Sequence, residues 1–128
     1  LVGRVWHLPR QLDPDTLARA VECVRGRHDF QAFSAKRGNE NEDTNYERIL
    51  MDARVEETEH GWRLVWKGDG FLYKMVRLLT GSMLEVAQGR MRLDDLAALL
   101  DQSAGLPRGR APFCAPADGL YLESVAYD

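Results

Sequence analysis

Only two cysteines occur in the 128 residues, Cys23 and Cys114. They lie far apart and fit neither a disulfide framework nor the paired spacing of a metal site. Both are expected to be ordinary thiols of a cytoplasmic protein, with no metal bound. No apolar run reaches transmembrane length, and Leu1-Val2-Gly3-Arg4 does not read as a charged-then-apolar signal segment. Internal repeats and low-complexity tracts are missing too. Nor does one sign of charge dominate: 17 Lys and Arg stand against 20 Asp and Glu, for a net charge of -3 and a pI of about 5.6. That balance excludes a bulk electrostatic binder of nucleic acid, so any such contact must come from a local basic patch.

What is present suffices for one globular domain, residues 1–128, with a real core: 45% of the chain is hydrophobic. The chain is organised around Gly68 to Arg90, a stretch with a glycine entry, an apolar helical body and a glycine exit. With Met75 at the origin and ~100° per residue, Phe71, Leu79, Ser82 and Val86 fall within about 40° of it and Leu78 within about 60°. Leu72, Val76 and Met83 widen that stripe, and Gly89 suits the left-handed position that closes a helix. Lys74, Gly81 and Glu85 form a narrow sector expected to face solvent. Arg77 lies outside that sector, at about 200°, between Tyr73 and Leu84. A helix apolar nearly all round is covered on most sides. Arg77 then either pairs with an anion, since a buried unpaired charge is expensive, or lays its stem along Tyr73 and Leu84 with its head in water.

The remaining elements follow from punctuation and period. Leu1 to Leu8 reads as an extended segment that begins abruptly, as if something preceded it. Asp13-Pro14 predicts an N-cap with proline at N1, and Leu17, Ala20, Val21 and Val24 make one helical face that Gly26 ends. His28-Asp29-Phe30 with Phe33 reads as a turn plugging two aromatics into the core. His28 and Asp29 also invite reading as a base and its orienter, but adjacent residues do not face each other on a helix. Asn39 to Asn45 is a polar, acidic, solvated loop whose spacing matches no calcium loop. Ile49, Met51, Ala53 and Val55 alternate with Leu50, Asp52, Arg54 and Glu56, and Trp62, Leu64 and Trp66 alternate with Arg63, Val65 and Lys67. Glu59-His60-Gly61 joins the two runs as a hairpin with one charged face, and the hairpin feeds a helix starting at Phe71. A second helix carries Leu93, Leu96, Leu99 and Leu100 behind Asp94 and Asp95. From Gln102 to Gly119 no period is visible, and Leu120, Leu122 and Val125 close the chain as a strand. Arg90, Arg92, Arg108 and Arg110 are candidates for a phosphate-binding patch, with ordinary surface charge as the alternative. The fold class is α+β: a mostly antiparallel, mixed sheet with helices packed on one face.

Three segments, in order, resemble one family. Gly26-Arg27-His28-Asp29-Phe30-Gln31-Ala32-Phe33 is similar to G-x-H-D-F-x-x-F. Gly68-Asp69-Gly70-Phe71-Leu72-Tyr73-Lys74-Met75-Val76-Arg77, then Gly81, resembles G-x-x-F-L-x-x-M-V-R-x-x-x-G. Ala111-Pro112 through Gly119-Leu120-Tyr121-Leu122, then Val125 and Tyr127, is similar to A-P-x-x-G-L-x-L-x-x-V-x-Y. These are segments of the A-type tRNA pseudouridine synthases, which modify uridines of the tRNA anticodon stem-loop. The resemblance implies a mixed, mostly antiparallel sheet crossed by an RNA cleft, tRNA as partner, a homodimer, and no metal or organic cofactor. It also implies a nucleophilic aspartate in an Arg-Thr-Asp motif of an N-terminal half. No Arg-Thr-Asp occurs in these 128 residues. The expectation is therefore a C-terminal domain, inactive alone. Arg77 would pair with the aspartate of the N-terminal half, and Leu120 (or Leu122), Phe71 and Met75 would form an apolar wall beside the uracil. Two alternatives stay open: a non-catalytic RNA-binding or regulatory domain that keeps the synthase fold, and a protein-interaction domain with no role in RNA.

Overall fold

The alternating runs of the hairpin form the longest ladder of the molecule. A computed structural model of the chain describes residues 2–35, 38, 40, 41, 43–100 and, for the backbone alone, 122–126. Strand β3 (Glu47–Thr58) pairs with β4 (Gly61–Gly68), closed by Glu59 and His60. β4 pairs in turn with β1 (Val2–Pro9), and β1 with β5 (Leu122–Ala126). The short β2 (Gly26–Asp29) adds to the far side of β3. The order is β2-β3-β4-β1-β5, and every pairing is antiparallel.

Helix α1 (Pro14–Val24) starts as its sequence specifies. The Asp13 side chain accepts from the Asp15 N–H at 3.2 Å and from the Thr16 hydroxyl at 2.6 Å, with Pro14 in the first turn. Leu17, Ala20, Val21 and Val24 are its buried face. Helices α2 (Met75–Ala87) and α3 (Leu93–Leu100) follow. One core contains the buried face of α1, Met75, Leu79, Met83 and Val86 of α2, Leu96 of α3, and Trp6, Leu8, Leu50, Ala53, Leu64 and Trp66 of the sheet. All three helices therefore cover the same face of the sheet, and the α+β expectation holds. Phe30, just before a 3-10 turn (Gln31–Phe33), and Phe33, its last residue, are fully buried. Each such side chain contributes about 1.5–3 kcal/mol relative to exposure.

Three local expectations are corrected. His28-Asp29 lies on a strand rather than in a turn, because residues 26–29 find a ladder on β3. Met51 was placed on the buried face of its strand, yet it is 47% exposed while Leu50 is fully buried. A register shift between Leu50 and Asp52 inserts one extra residue, and a bulge of that kind exchanges the faces on either side of it. Gly81 was expected to face solvent but is buried, as is most of Glu85. The more open side of α2 carries Arg77 and Leu84 instead. The exit from α2 is as expected: Gly89 has φ +76°, and the N–H groups of Gly89 and Arg90 donate to the Val86 and Glu85 carbonyls at 3.1 and 2.9 Å. This is a Schellman closure.

The sheet's second face carries an ionic lattice. Glu56 accepts from Arg63 Nε at 2.9 Å and from Arg54 Nε at 3.2 Å, Arg54 also pairs with Asp52, and Lys67 Nζ lies 3.9 Å from Asp52. The Arg63 hydrogen bond holds the Glu56 carboxyl below its ordinary value of 4.5, against the opposite pull of burial, with Arg54 assisting. A carboxyl lowered by folding adds stability above its unfolded pKa and loses it as pH falls through the folded pKa. Between ~pH 5 and ~pH 3 the chain is expected to lose about 0.2–1 kcal/mol more stability than Glu56→Gln, read from urea midpoints across that range. On the core side, Trp66 Nε1 donates to Thr80 Oγ1 at 3.1 Å, both residues being fully buried. Thr80→Val keeps the shape and removes the acceptor, so a loss of about 1–3 kcal/mol is expected in urea unfolding at unchanged m-value.

Candidate active site at the start of α2

The path from β4 into α2 is tightly specified. A Cβ on Gly68 would stand 2.7 Å from the Ile49 carbonyl oxygen, so only glycine allows the strands to approach here. Asp69 then extends the ladder with both its groups. Its N–H donates to the Ile49 carbonyl at 3.2 Å, and its Oδ1 accepts from the Ile49 N–H at 2.9 Å. The helix does not begin at Phe71. Residues 71–74 form a turn, with the Met75 N–H donating to the Leu72 carbonyl at 3.0 Å. The Tyr73 carbonyl accepts from the Ala35 N–H at 3.0 Å, which pins the turn to the end of the 3-10 segment. Lys74, at φ 61° and ψ 13°, is the only described residue other than glycine with positive φ. This left-handed residue stops helical geometry from running back to Phe71, and α2 starts without a side-chain cap.

The turn closes over a cavity of about 270 Å³ between β1 and the first turn of α2. Phe71, Met75 and Arg77, separated along the sequence by irregular backbone, all line it. Met75 is fully buried, while Phe71 and Arg77 are half-buried. Arg4 and Trp6 reach the same cavity from β1, and Lys74 from the turn. The Arg4 guanidinium lies 5.8 Å from the centre of the Phe71 ring, and its Nη1 donates to the Gly3 carbonyl at 2.8 Å. Lys74 Nζ lies 5.6 Å from the centre of the Tyr73 ring, which is 40% exposed. Among the described residues, no carboxylate lines the cavity. Cations thus converge on the N-terminal end of α2, whose dipole adds further positive potential.

Other expected site residues lie elsewhere. Arg90 and Arg92 follow the opposite end of α2, about 20 Å along a 13-residue helix from Arg77. There Arg90 Nε pairs with Glu85 at 3.2 Å, and Arg92 Nη2 lies 3.8 Å from Asp94. Leu120, Arg108 and Arg110 are outside the described residues. His28 and Asp29 make hydrogen bonds to the backbone: His28 Nε2 bonds the Arg25 carbonyl at 2.9 Å and Asp29 Oδ1 accepts from the Gln31 N–H at 2.9 Å. Burial pushes the Cys23 thiol above its ordinary value, which makes it a poor nucleophile. Among the described residues no cluster of His, Cys, Asp and Glu is arranged to hold a metal, and no helix is long and apolar enough to cross a membrane. Arg4, Trp6 and Lys74 were missed as site residues. The one available signal was that Arg4 shares a strand face with Trp6 and Leu8.

Comparison with known proteins identifies the class. The profile of a family described as tRNA pseudouridine synthase matches residues 20–128, and the chain belongs to that family. Among similar proteins, the tRNA pseudouridine synthase A of Akkermansia muciniphila is 44% identical over 128 residues, covering 98% of this chain and 48% of that protein. The enzymes of the same name from Staphylococcus saprophyticus and Staphylococcus aureus (strain JH1) are each 36% identical, covering 98% of this chain and 45% of theirs. The chain spans about half the length of these curated relatives.

The backbone at Lys74 generates its own expectation. A left-handed conformation costs most residues about 1–2 kcal/mol, and asparagine tolerates it. Lys74→Asn is expected to raise stability by up to about 1 kcal/mol, whereas the β-branched Lys74→Val lowers it, as read from urea midpoints.

Proposed function

We propose that this chain is the C-terminal half of a tRNA pseudouridine synthase acting on uridines of the anticodon stem-loop. The observation carrying this reading is the convergence of Phe71, Met75 and Arg77 on one cavity at the start of α2. A nucleophilic aspartate is contributed by an N-terminal half. Arg77 faces that carboxylate, holding it ionised and oriented as a nearby opposite charge does. Phe71 and Met75 offer an apolar wall to the uracil ring, and Leu120 extends it.

The reaction is an isomerisation. The bond between ribose carbon and ring nitrogen breaks, the ribose carbon joins a ring carbon, and that ring carbon gives up its hydrogen while the nitrogen gains one. Composition is unchanged, so no net oxidant is needed, and the family resemblance implies no metal or organic cofactor. The protein's task is to place a carboxylate, exclude water beside the ring and hold the freed uracil for its second attachment. Family membership and the relatives' names support tRNA as substrate, and the assembled enzyme is proposed to be a cytoplasmic homodimer.

The test is complementation. This chain is mixed with a separately expressed N-terminal half carrying Arg-Thr-Asp, and tritium release from uracil-labelled tRNA is followed. Release is expected only with both halves, and is expected to fall by at least about 100-fold with Arg77→Ala. If the halves associate and no tritium is released, or if this chain alone turns over tRNA, the assignment of roles fails. Full tRNA affinity without turnover would favour the non-catalytic RNA-binding alternative.

A further inference from the structure

The cavity at the start of α2 holds more positive charge than one carboxylate requires. Among the described residues, Arg4, Lys74 and Arg77 line it and no acidic residue does. The interactions of Arg4 are with the Gly3 carbonyl and the Phe71 ring, and that of Lys74 is with the Tyr73 ring. Among the described residues, no carboxylate lies within ion-pair distance of either. This contrasts with Arg54, Arg63 and Lys67, which share Asp52 and Glu56 across the sheet's second face.

An independent feature points to the same place. Among the described residues, Trp6 Nε1 is the one buried side-chain nitrogen or oxygen without a hydrogen-bond partner, and Trp6 lines this cavity while being 1% exposed. An orphaned buried donor is costly and calls for an acceptor supplied from outside the chain. The comparable indole, that of Trp66, has its acceptor in Thr80. Lys74 is also the described side chain that is held on a left-handed backbone, a conformation often kept at sites where it serves a ligand.

We propose that Arg4 and Lys74 form a clamp for one phosphodiester of the bound RNA, with the Trp6 indole N–H as a further donor at the same site. This rests on the RNA-modifying reading above and deepens it, leaving Arg77 for the carboxylate. A nucleotide fits better than a second protein carboxylate because each free cation sits by an aromatic ring, Phe71 for Arg4 and Tyr73 for Lys74. Cations interleaved with aromatic faces accept a phosphate and a stacked base together. The N-terminal end of α2 adds the dipole that favours such an anion.

The test uses the 128-residue chain and an anticodon stem-loop RNA in which single phosphodiesters are replaced, one at a time, by neutral methylphosphonates. For the native RNA, Arg4→Gln combined with Lys74→Asn is expected to weaken binding about 10-fold and to lower the slope of log affinity against log salt by about 0.7. One methylphosphonate position should weaken wild-type binding by a similar factor and leave the double variant's affinity unchanged. Trp6→Phe, which puts a smaller aromatic ring in place of the indole and removes the donor, should lose affinity for native RNA but not for that substituted RNA. Unfolding is excluded as the cause by the Lys74→Asn component, which is expected to bind more weakly while being at least as stable. The clamp is overturned if no linkage couples to Arg4 and Lys74, if the salt slope is unchanged, or if the wild-type chain fails to bind the RNA. Failure of the enzymatic reading registers separately, as absent tritium release with the coupling intact.

Discussion

The hydrogen bond from the Trp66 indole to the Thr80 hydroxyl ties the sheet to α2, and the candidate site depends on that tie. Both groups are fully buried, so the bond is expensive to break and each partner holds the other in one orientation. Trp66 sits opposite Arg4 on β1 and opposite Ala53 on β3. A single side chain thereby relates the strand bearing Arg4 to the helix bearing Arg77. It also sets the rotation of α2: Met75 and Leu79 turn into the core, and Arg77 and Leu84 take the more open side. The six residues between β4 and α2 need not be regular, because both of their ends are anchored.

The two faces of the sheet divide the chain's chemistry. One face is apolar and lies under all three helices. The other carries Asp52, Arg54, Glu56, Arg63 and Lys67 as a mutually neutralising lattice. The bulge at Met51 keeps this division consistent, since without it the residues on one side of the shift would present the wrong face. Asp94 and Asp95 belong to the first turn of α3, and Glu85 pairs with Arg90 beyond the far end of α2. These acidic residues are thus committed elsewhere. Although the chain has a net charge of -3, the described charged residues that line the cavity are all cations.

That arrangement gives family membership a physical content. The segment from Gly68 to Arg77 carries part of the resemblance to the family, and each of its parts has a task here. Gly68 permits close strand approach, Asp69 continues the ladder, Phe71 and Met75 line the cavity, and Arg77 opens onto it. The chain matches about half the length of its relatives. Among the described residues, the cavity at the start of α2 presents an apolar wall and cations with no acid.

Much of this was legible in sequence because local rules act on local residues. The Asp13-Pro14 cap, the buried face of α1, the hairpin from Glu47 to Gly68, the Gly89 closure and the leucines of α3 are specified within a few positions of one another. Periodicity fails where a single residue breaks it. The bulge at Met51 and the left-handed Lys74 shift the pattern by amounts no wheel or alternation anticipates. Arg77, Phe71 and Met75 were recognisable by their motif, but neither their shared cavity nor its contributors from β1 were. Arg4 precedes Arg77 by most of the domain, and only the β1–β4 ladder and the Trp66–Thr80 bond bring them together. Sequence alone determined the elements, their polarity and the family. Tertiary structure decided which charges meet, because pairing across strands and helices depends on register and rotation, which no short segment encodes by itself.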